Sequence, residues 1–204
     1  MCIRDSPDSK PEAMLGIVRA VRQVMVKNGV NEKPLWNTET GWLIANEDGG
    51  PDSSGYKYWK KLDRTNAGPF VARAYILSWA AGVERLYWYC WDHKVMGFVE
   101  PNTKAEKQNV VKAYSVTMEW LVGNVIDGCK RAGKIWTCIL KKPSGANEWI
   151  VWSEEEKVAT WVIPKDWQVT EVESLDKTIY LLSNNILKIG QSPVLLRATS
   201  NKQP

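Results

Sequence analysis

Two short stretches hold the side chains whose types and spacing could do chemistry. In KPLWNTETGWL, residues 33–43, the carboxylate of Glu39 follows Pro34-Leu35-Trp36-Asn37-Thr38, an apolar, aromatic and β-branched run that predicts a short strand. In VERLYWYCWDH a second predicted strand, residues 83–91, runs out through Tyr87, Tyr89 and Trp91 into Asp92 and His93, the sole histidine. A carboxylate at a strand exit can serve as acid, base or nucleophile. Taken alone, it is more often a solvated loop residue. Tryptophan adds a flat apolar face with a polar N–H, a shape that suits sugar rings, and Trp36 and Trp42 flank Glu39.

The elements that would position these groups follow a clear rhythm. Ser9-Lys10-Pro11-Glu12 reads as a capping box, and Met14, Ile17, Val18, Val21, Val24 and Met25 recur at helical spacing until Gly29. The Glu39 strand comes next, then a loop rich in Gly, Asp and Ser over residues 46–55. The aromatic patch Tyr56, Tyr58 and Trp59 and the turn-like Asn66-Ala67-Gly68-Pro69 follow. A second helix is predicted over residues 70–81, stopping at Gly82, and Arg73 within it reads as structural. Thr103-Lys104-Ala105-Glu106 predicts the cap of a third helix that ends at Gly123. Helices alternating with strands indicate parallel α/β units.

After Gly123 the pattern changes to short strands at intervals of roughly ten residues, IWTCIL, EWIVW, ATWVI, TIYLL and PVLLRA, which predict an antiparallel β-sandwich. Trp136, Ile139, Trp149, Val151 and Trp161 read as its core. The expected organisation is therefore α/β plus all-β, with residues 7–123 and 124–204 as the two domains. Residues 1–6, MCIRDS, resemble an adaptor read as protein at the ends of translated environmental assemblies. They are set aside as a non-native leader, and Cys2 with them.

Composition narrows the function. The 204 residues include 44% hydrophobic residues, enough for a core, and a net charge of +4 that is spread along the chain. Lys130, Arg131 and Lys134 surround Ala132-Gly133 and read as a solvated hairpin tip, so neither nucleic acid nor a membrane is an expected partner. No apolar run approaches the ~20 residues of a membrane span. There is no Cys/His spacing for a metal and no phosphate-binding glycine loop, so no cofactor is expected. Twelve Trp against two Phe is the unusual entry in the composition. Cys129 and Cys138 flank the turn at Gly133-Lys134 symmetrically; they could form a cross-strand disulfide or stand as two buried thiols. A disulfide would imply an oxidising compartment, extracellular or periplasmic.

Two α/β units cannot bury their own parallel strands, so this half reads as the tail of a larger sheet or barrel. In a (β/α)8 barrel the strand ends carrying Glu39 and Trp91-Asp92-His93 would face one mouth, and the loop of residues 40–69 would roof it. PLWNTETGWL, ARAYILSWAAGVERLYWYCWDHKVMGFVEP and the trailing β domain ending SPVLLRA resemble the C-terminal part of clan A glycoside hydrolases. The pattern is that of bacterial family 39-like and family 5-like enzymes. The resemblance runs from about Pro7 to Ala198. It implies strands seven and eight of the barrel, Glu39 as the nucleophile and Trp91 as the floor of a sugar subsite, with an oligo- or polysaccharide as substrate.

Around that core the readings stay open. Trp42 and Trp91 would wall the sugar, and strand alternation puts Asn37 on Glu39's face. Asp92 would hold a sugar hydroxyl or close its own loop. His93 would be a subsite ligand or a loop histidine bonded to backbone. Tyr89 would approach the pocket from below, while Tyr87 reads as core. The superfamily's acid/base glutamate follows an Asn at the end of strand four. Asn31-Glu32, Asn46-Glu47 and Asn147-Glu148 occupy no such place and read as chance. The expectation is a fragment, inactive by itself, whose missing barrel half supplies the proton donor. The alternatives are a carbohydrate-binding or structural module, or an unrelated α/β hydrolase, for which no G-x-S-x-G elbow is present.

Overall fold

The structure, a computed structural model, describes residues 2–4, 9–50 and 59–198. The chain divides into two compact units, Met1–Lys112 and Ala113–Pro204.

In the first unit the order is β1 (Cys2–Arg4), α1 (Ala13–Lys27), β2 (Trp36–Thr40), β3 (Leu43–Ile44), β4 (Lys61–Leu62), α2 (Arg64–Ala80) and β5 (Arg85–Trp88). β1, β2 and β5 form a parallel sheet with β2 in the middle. Residues 2–4, within the stretch expected to be a non-native leader, form a strand of this sheet. β3 and β4 pair separately, also in parallel. Tyr56, Tyr58 and the later part of the loop at residues 46–55 lie outside the described residues.

Met14, Val18 and Met25 of α1 are buried with Leu35 and Val83, which is the 3.6-residue period at work. The helix starts at Ala13, after the predicted box. The N-cap of α1 is Glu12, which makes no side-chain cap; its carboxylate accepts instead from Arg73 Nη1 at 2.8 Å. Arg73 is wholly buried, with its guanidinium over the Phe70 ring, so the pair ties the start of α1 to α2. Helix α2 starts six residues earlier than its sequence suggests. Asp63 caps it by accepting from the Asn66 N–H at 2.7 Å, a start signal hidden by the Gly68-Pro69 pair that reads as a turn. Near-complete burial of residues from Ala67 to Ser78 holds the helix despite Pro69. Helix α3 (Gln108–Leu121) starts later than residues 103–106 predict, because Lys104 adopts a left-handed φ of 59°.

The second unit carries β6 (Val125–Ala132), β7 (Ile135–Lys141), β8 (Asn147–Ser153), β9 (Ala159–Val162), β10 (Val169–Ser174), β11 (Ile179–Leu181), β12 (Ile186–Ile189) and β13 (Val194–Ala198). Six of these make an antiparallel sheet ordered β11-β10-β13-β8-β7-β6, and β9 pairs with β12. Trp149, Val151, Val172 and Leu196 of the sheet share a core with Leu187 and Ile189 of β12 and with Ile163. Trp136 stacks on Trp152 at 5.8 Å and Trp149 on Trp167 at 4.6 Å, both with nearly parallel ring planes. Arg197 ties β13 to its neighbours, bonding Glu171 at 2.7 Å and also Glu173, with Glu148 at 3.4 Å. Cys129 lies opposite Cys138 in the β6–β7 hairpin, and the two are joined as a disulfide.

Candidate active site

Glu39 is the fourth residue of β2, half-buried beside the fully buried Thr40. The two neighbouring strands both show that β2 holds one residue too many here. Trp36 to Glu39 faces Cys2 to Arg4, three steps against two, and Asn37 to Thr40 faces Leu86 to Trp88 in the same way. That is a β-bulge, and it resets the alternation of faces. Asn37 and Thr40, three apart, are both 0% exposed, and Asn37 Nδ2 donates to Met14 Sδ of α1 at 3.5 Å. Glu39, next to Thr40, therefore points to the other face of the sheet. The expectation that Asn37 shares Glu39's face is corrected: regular alternation fails across the extra residue, and Asn37 belongs to the helix side.

The open face also carries Trp36, with the Arg85 guanidinium 4.8 Å from its ring centre, and Tyr87, 44% exposed. Tyr87 is thus not the core residue that its strand position suggests. No sequence signal marked Arg85. Its pairing with Trp36 follows from the parallel register of the two strands, which one chain segment does not reveal.

Beyond the bulge, the exits of β2 and β5 lie side by side. The Tyr89 N–H donates to the Thr40 carbonyl at 2.8 Å, continuing the ladder past β5. The chain then folds tightly on itself. Gly97 N–H donates to the His93 carbonyl and Phe98 N–H to the Trp91 carbonyl, each at 2.7 Å. Trp88 Nε1 donates to the Met96 carbonyl at 2.8 Å and Lys107 Nζ to the Gly97 carbonyl at 3.0 Å. A Cβ on Gly97 would sit 2.4 Å from the His93 carbonyl oxygen and 2.6 Å from its nitrogen, so only glycine fits. This knot presents Trp91, 45% exposed, against Phe98 at 5.3 Å, and Tyr89, 43% exposed, against the His93 ring at 5.2 Å. Asp92 is exposed and accepts from the Cys90 thiol at 3.6 Å, while His93 is half-buried. Glu39 thus lies at the end of β2, next to the strand whose exit carries Tyr89, Trp91, Asp92 and His93.

Trp42 does not join them. It is 1% exposed, packs on Phe70 and Trp88 at 5.6 and 5.7 Å, and donates its indole N–H to the Ser9 carbonyl at 2.8 Å. Its expected role as a sugar wall is corrected to one of support. It pins the segment before α1 beneath the strand exits.

The loops after β2 and β5 are fastened by buried charge. Glu100 accepts from the Glu47 backbone N–H at 3.1 Å and lies 3.6 Å from Arg64, and Asn46 Nδ2 donates to the Lys94 carbonyl at 3.0 Å. Lys107 is buried in the same cluster. Burial lowers its pKa from the ordinary lysine value, against the opposing pull of Glu100. Among the described residues, no three His, Cys, Asp or Glu side chains group as the ligands of a metal would. None of the described helices is long and apolar enough to cross a membrane.

No protein-family model matches the chain, and its sequence matches no curated protein. Solved structures do resemble its fold. A family 39 glycoside hydrolase of the gut symbiont Bacteroides cellulosilyticus WH2 superposes with a TM-score of 0.67 at 14% identity, over 89% of this chain and 38% of that one. The GH51 arabinofuranosidase of Xanthomonas axonopodis pv. citri superposes with a TM-score of 0.52 at 8% identity, over 95% of this chain and 49% of that one. The chain therefore has a glycoside-hydrolase-like fold, and it spans less than half the length of each of these two structures.

Proposed function

We propose that this chain is the carboxy-terminal part of a retaining glycoside hydrolase that cleaves β-linked glycosides in oligo- or polysaccharides. In this reading β1, β2 and β5 with their helices are the last units of a (β/α)8 barrel, β2 and β5 being strands seven and eight. The second unit is then an appended β-sandwich, and residues before this chain complete the barrel. Glu39 attacks the anomeric carbon and forms the covalent glycosyl–enzyme. A glutamate in the completing part protonates the departing oxygen and then deprotonates the water that releases the sugar, from a carboxyl roughly 5–5.5 Å away. Trp91 floors the subsite, with Tyr89, Asp92 and His93 around it. The chain alone lacks the acid/base partner and is inactive.

One observation carries the reading. Adjacent parallel strands, joined by the Tyr89 to Thr40 hydrogen bond at 2.8 Å, carry a half-buried carboxylate at the end of one and exposed aromatics at the exit of the other. Barrel enzymes build their sites at such exits. The Cys129–Cys138 disulfide supports an extracellular or periplasmic setting. Intact-protein and peptide mass spectrometry of the full-length parent, after exposure to a 2-fluoro-glycoside, tests the proposal. Glu39 is expected to carry the label. A label on another residue, or full activity in Glu39→Gln, overturns it.

A further inference from the structure

A parallel strand with an extra residue puts backbone polar groups out of step with the ladder, and a group so displaced inside the protein must find another partner. At the bulge of β2 a side chain reaches the backbone. The Glu39 N–H donates to Asn37 Oδ1 at 3.3 Å, the i to i+2 arrangement in which an Asn side chain imitates a backbone turn. Asn37 is anchored from behind, fully buried, with its Nδ2 on Met14 Sδ of α1. One amide thus bridges the two: its oxygen takes the Glu39 N–H and its nitrogen grips the helix layer.

We propose that Asn37 is a positioning residue for Glu39, holding the extra residue of β2 so that the carboxylate points onto the open sheet face. The catalytic meaning of this rests on the reading of Glu39 as nucleophile; the geometric role does not. The alternation of a strand supplies the reason. With Asn37 toward α1 and no extra residue, residue 39 would also face α1, and its carboxylate would enter a layer formed by Met14, Val18, Met25 and Leu35. The bulge moves Thr40 to that buried place and turns Glu39 out. Chemically, Asn suits the position because it offers an acceptor and a donor on one short, uncharged group.

Amide hydrogen exchange and the Glu39 carboxyl carbon resonance, both read by NMR on the 204-residue chain, test the proposal without substrate. In Asn37→Ala the Glu39 amide is expected to exchange about tenfold faster relative to the Leu86 and Trp88 amides, as loss of one hydrogen bond implies, and the carboxyl resonance to shift. In Asn37→Ser, whose hydroxyl makes the same turn more weakly, both changes are expected to be smaller. If the alanine variant does not fold, the serine variant decides by the same two readouts. Unchanged Glu39 exchange, or an equal rise across all of β2 and β5, overturns the positioning role. A fluoroglycoside label found elsewhere would remove Glu39 as nucleophile and leave these results standing.

Discussion

Both units bury tryptophan, Trp42 in the first as well as Trp149 and Trp152 in the second, but the exposed tryptophans Trp36, Trp79 and Trp91 all lie in the first. In the second unit Trp149 and Trp152 are buried and stacked on Trp167 and Trp136, and both lie on β8, in the middle of the six-stranded sheet. In the first unit Trp36 and Trp91 stand exposed with Tyr87 and Tyr89, along β2 and β5 and at the exit of β5. Residue type and strand spacing are alike in both. What differs is whether a second layer covers the face that carries the ring. Large apolar area buried among core neighbours stabilises the fold. Rings left in water at strand exits add little to it, and they suit recognition.

The contrast can be broken by measurement, beginning with the largest effect. Trp152→Ala should cost about 3–5 kcal/mol of unfolding free energy, as for other large-to-small changes in a core. A loss under about 1 kcal/mol, comparable to a surface substitution, would mean the stacked rings are not core. Reducing the Cys129–Cys138 disulfide, whose partners are nine residues apart, should cost about 2–3 kcal/mol by the loop-entropy estimate. Thermal unfolding with and without reductant measures it. Gly97→Ala should destabilise the first unit by about 1–3 kcal/mol, because the added methyl meets backbone atoms of Trp91 and His93. Urea unfolding that leaves it unchanged would show that the chain after β5 yields to the added methyl without cost. Trp91→Ala should change stability by no more than about 0.5 kcal/mol, the range of surface substitutions. A loss approaching that of Trp152→Ala would erase the distinction between the units.

Periodicity alone made much of this legible. The buried stripe of α1, the short strands of the second unit and the symmetry of Cys129 and Cys138 about Gly133 are all local patterns. The start of α2 was hidden because Asp63 is a common residue before a segment dominated by Gly68 and Pro69. The faces of Asn37 and Glu39 were not legible at all. A bulge is a relation between strands, and the count of three against two exists only once β1 and β5 lie alongside. Trp42 misled for a related reason. Its neighbour in sequence is the candidate nucleophile, while its neighbours in space are Phe70, Trp88 and the Ser9 carbonyl.

Lys107 has a use of its own. The residue is 1% exposed and its amine donates to the Gly97 carbonyl, so an acylating reagent in solution cannot reach it while it is buried. Burial lowers its pKa, so once uncovered near neutral pH it reverts to the common lysine range and reacts no faster than other lysines. The rate at which Lys107 becomes labelled, set against the exposed Lys94 and Lys104, therefore measures how often this buried amine is uncovered.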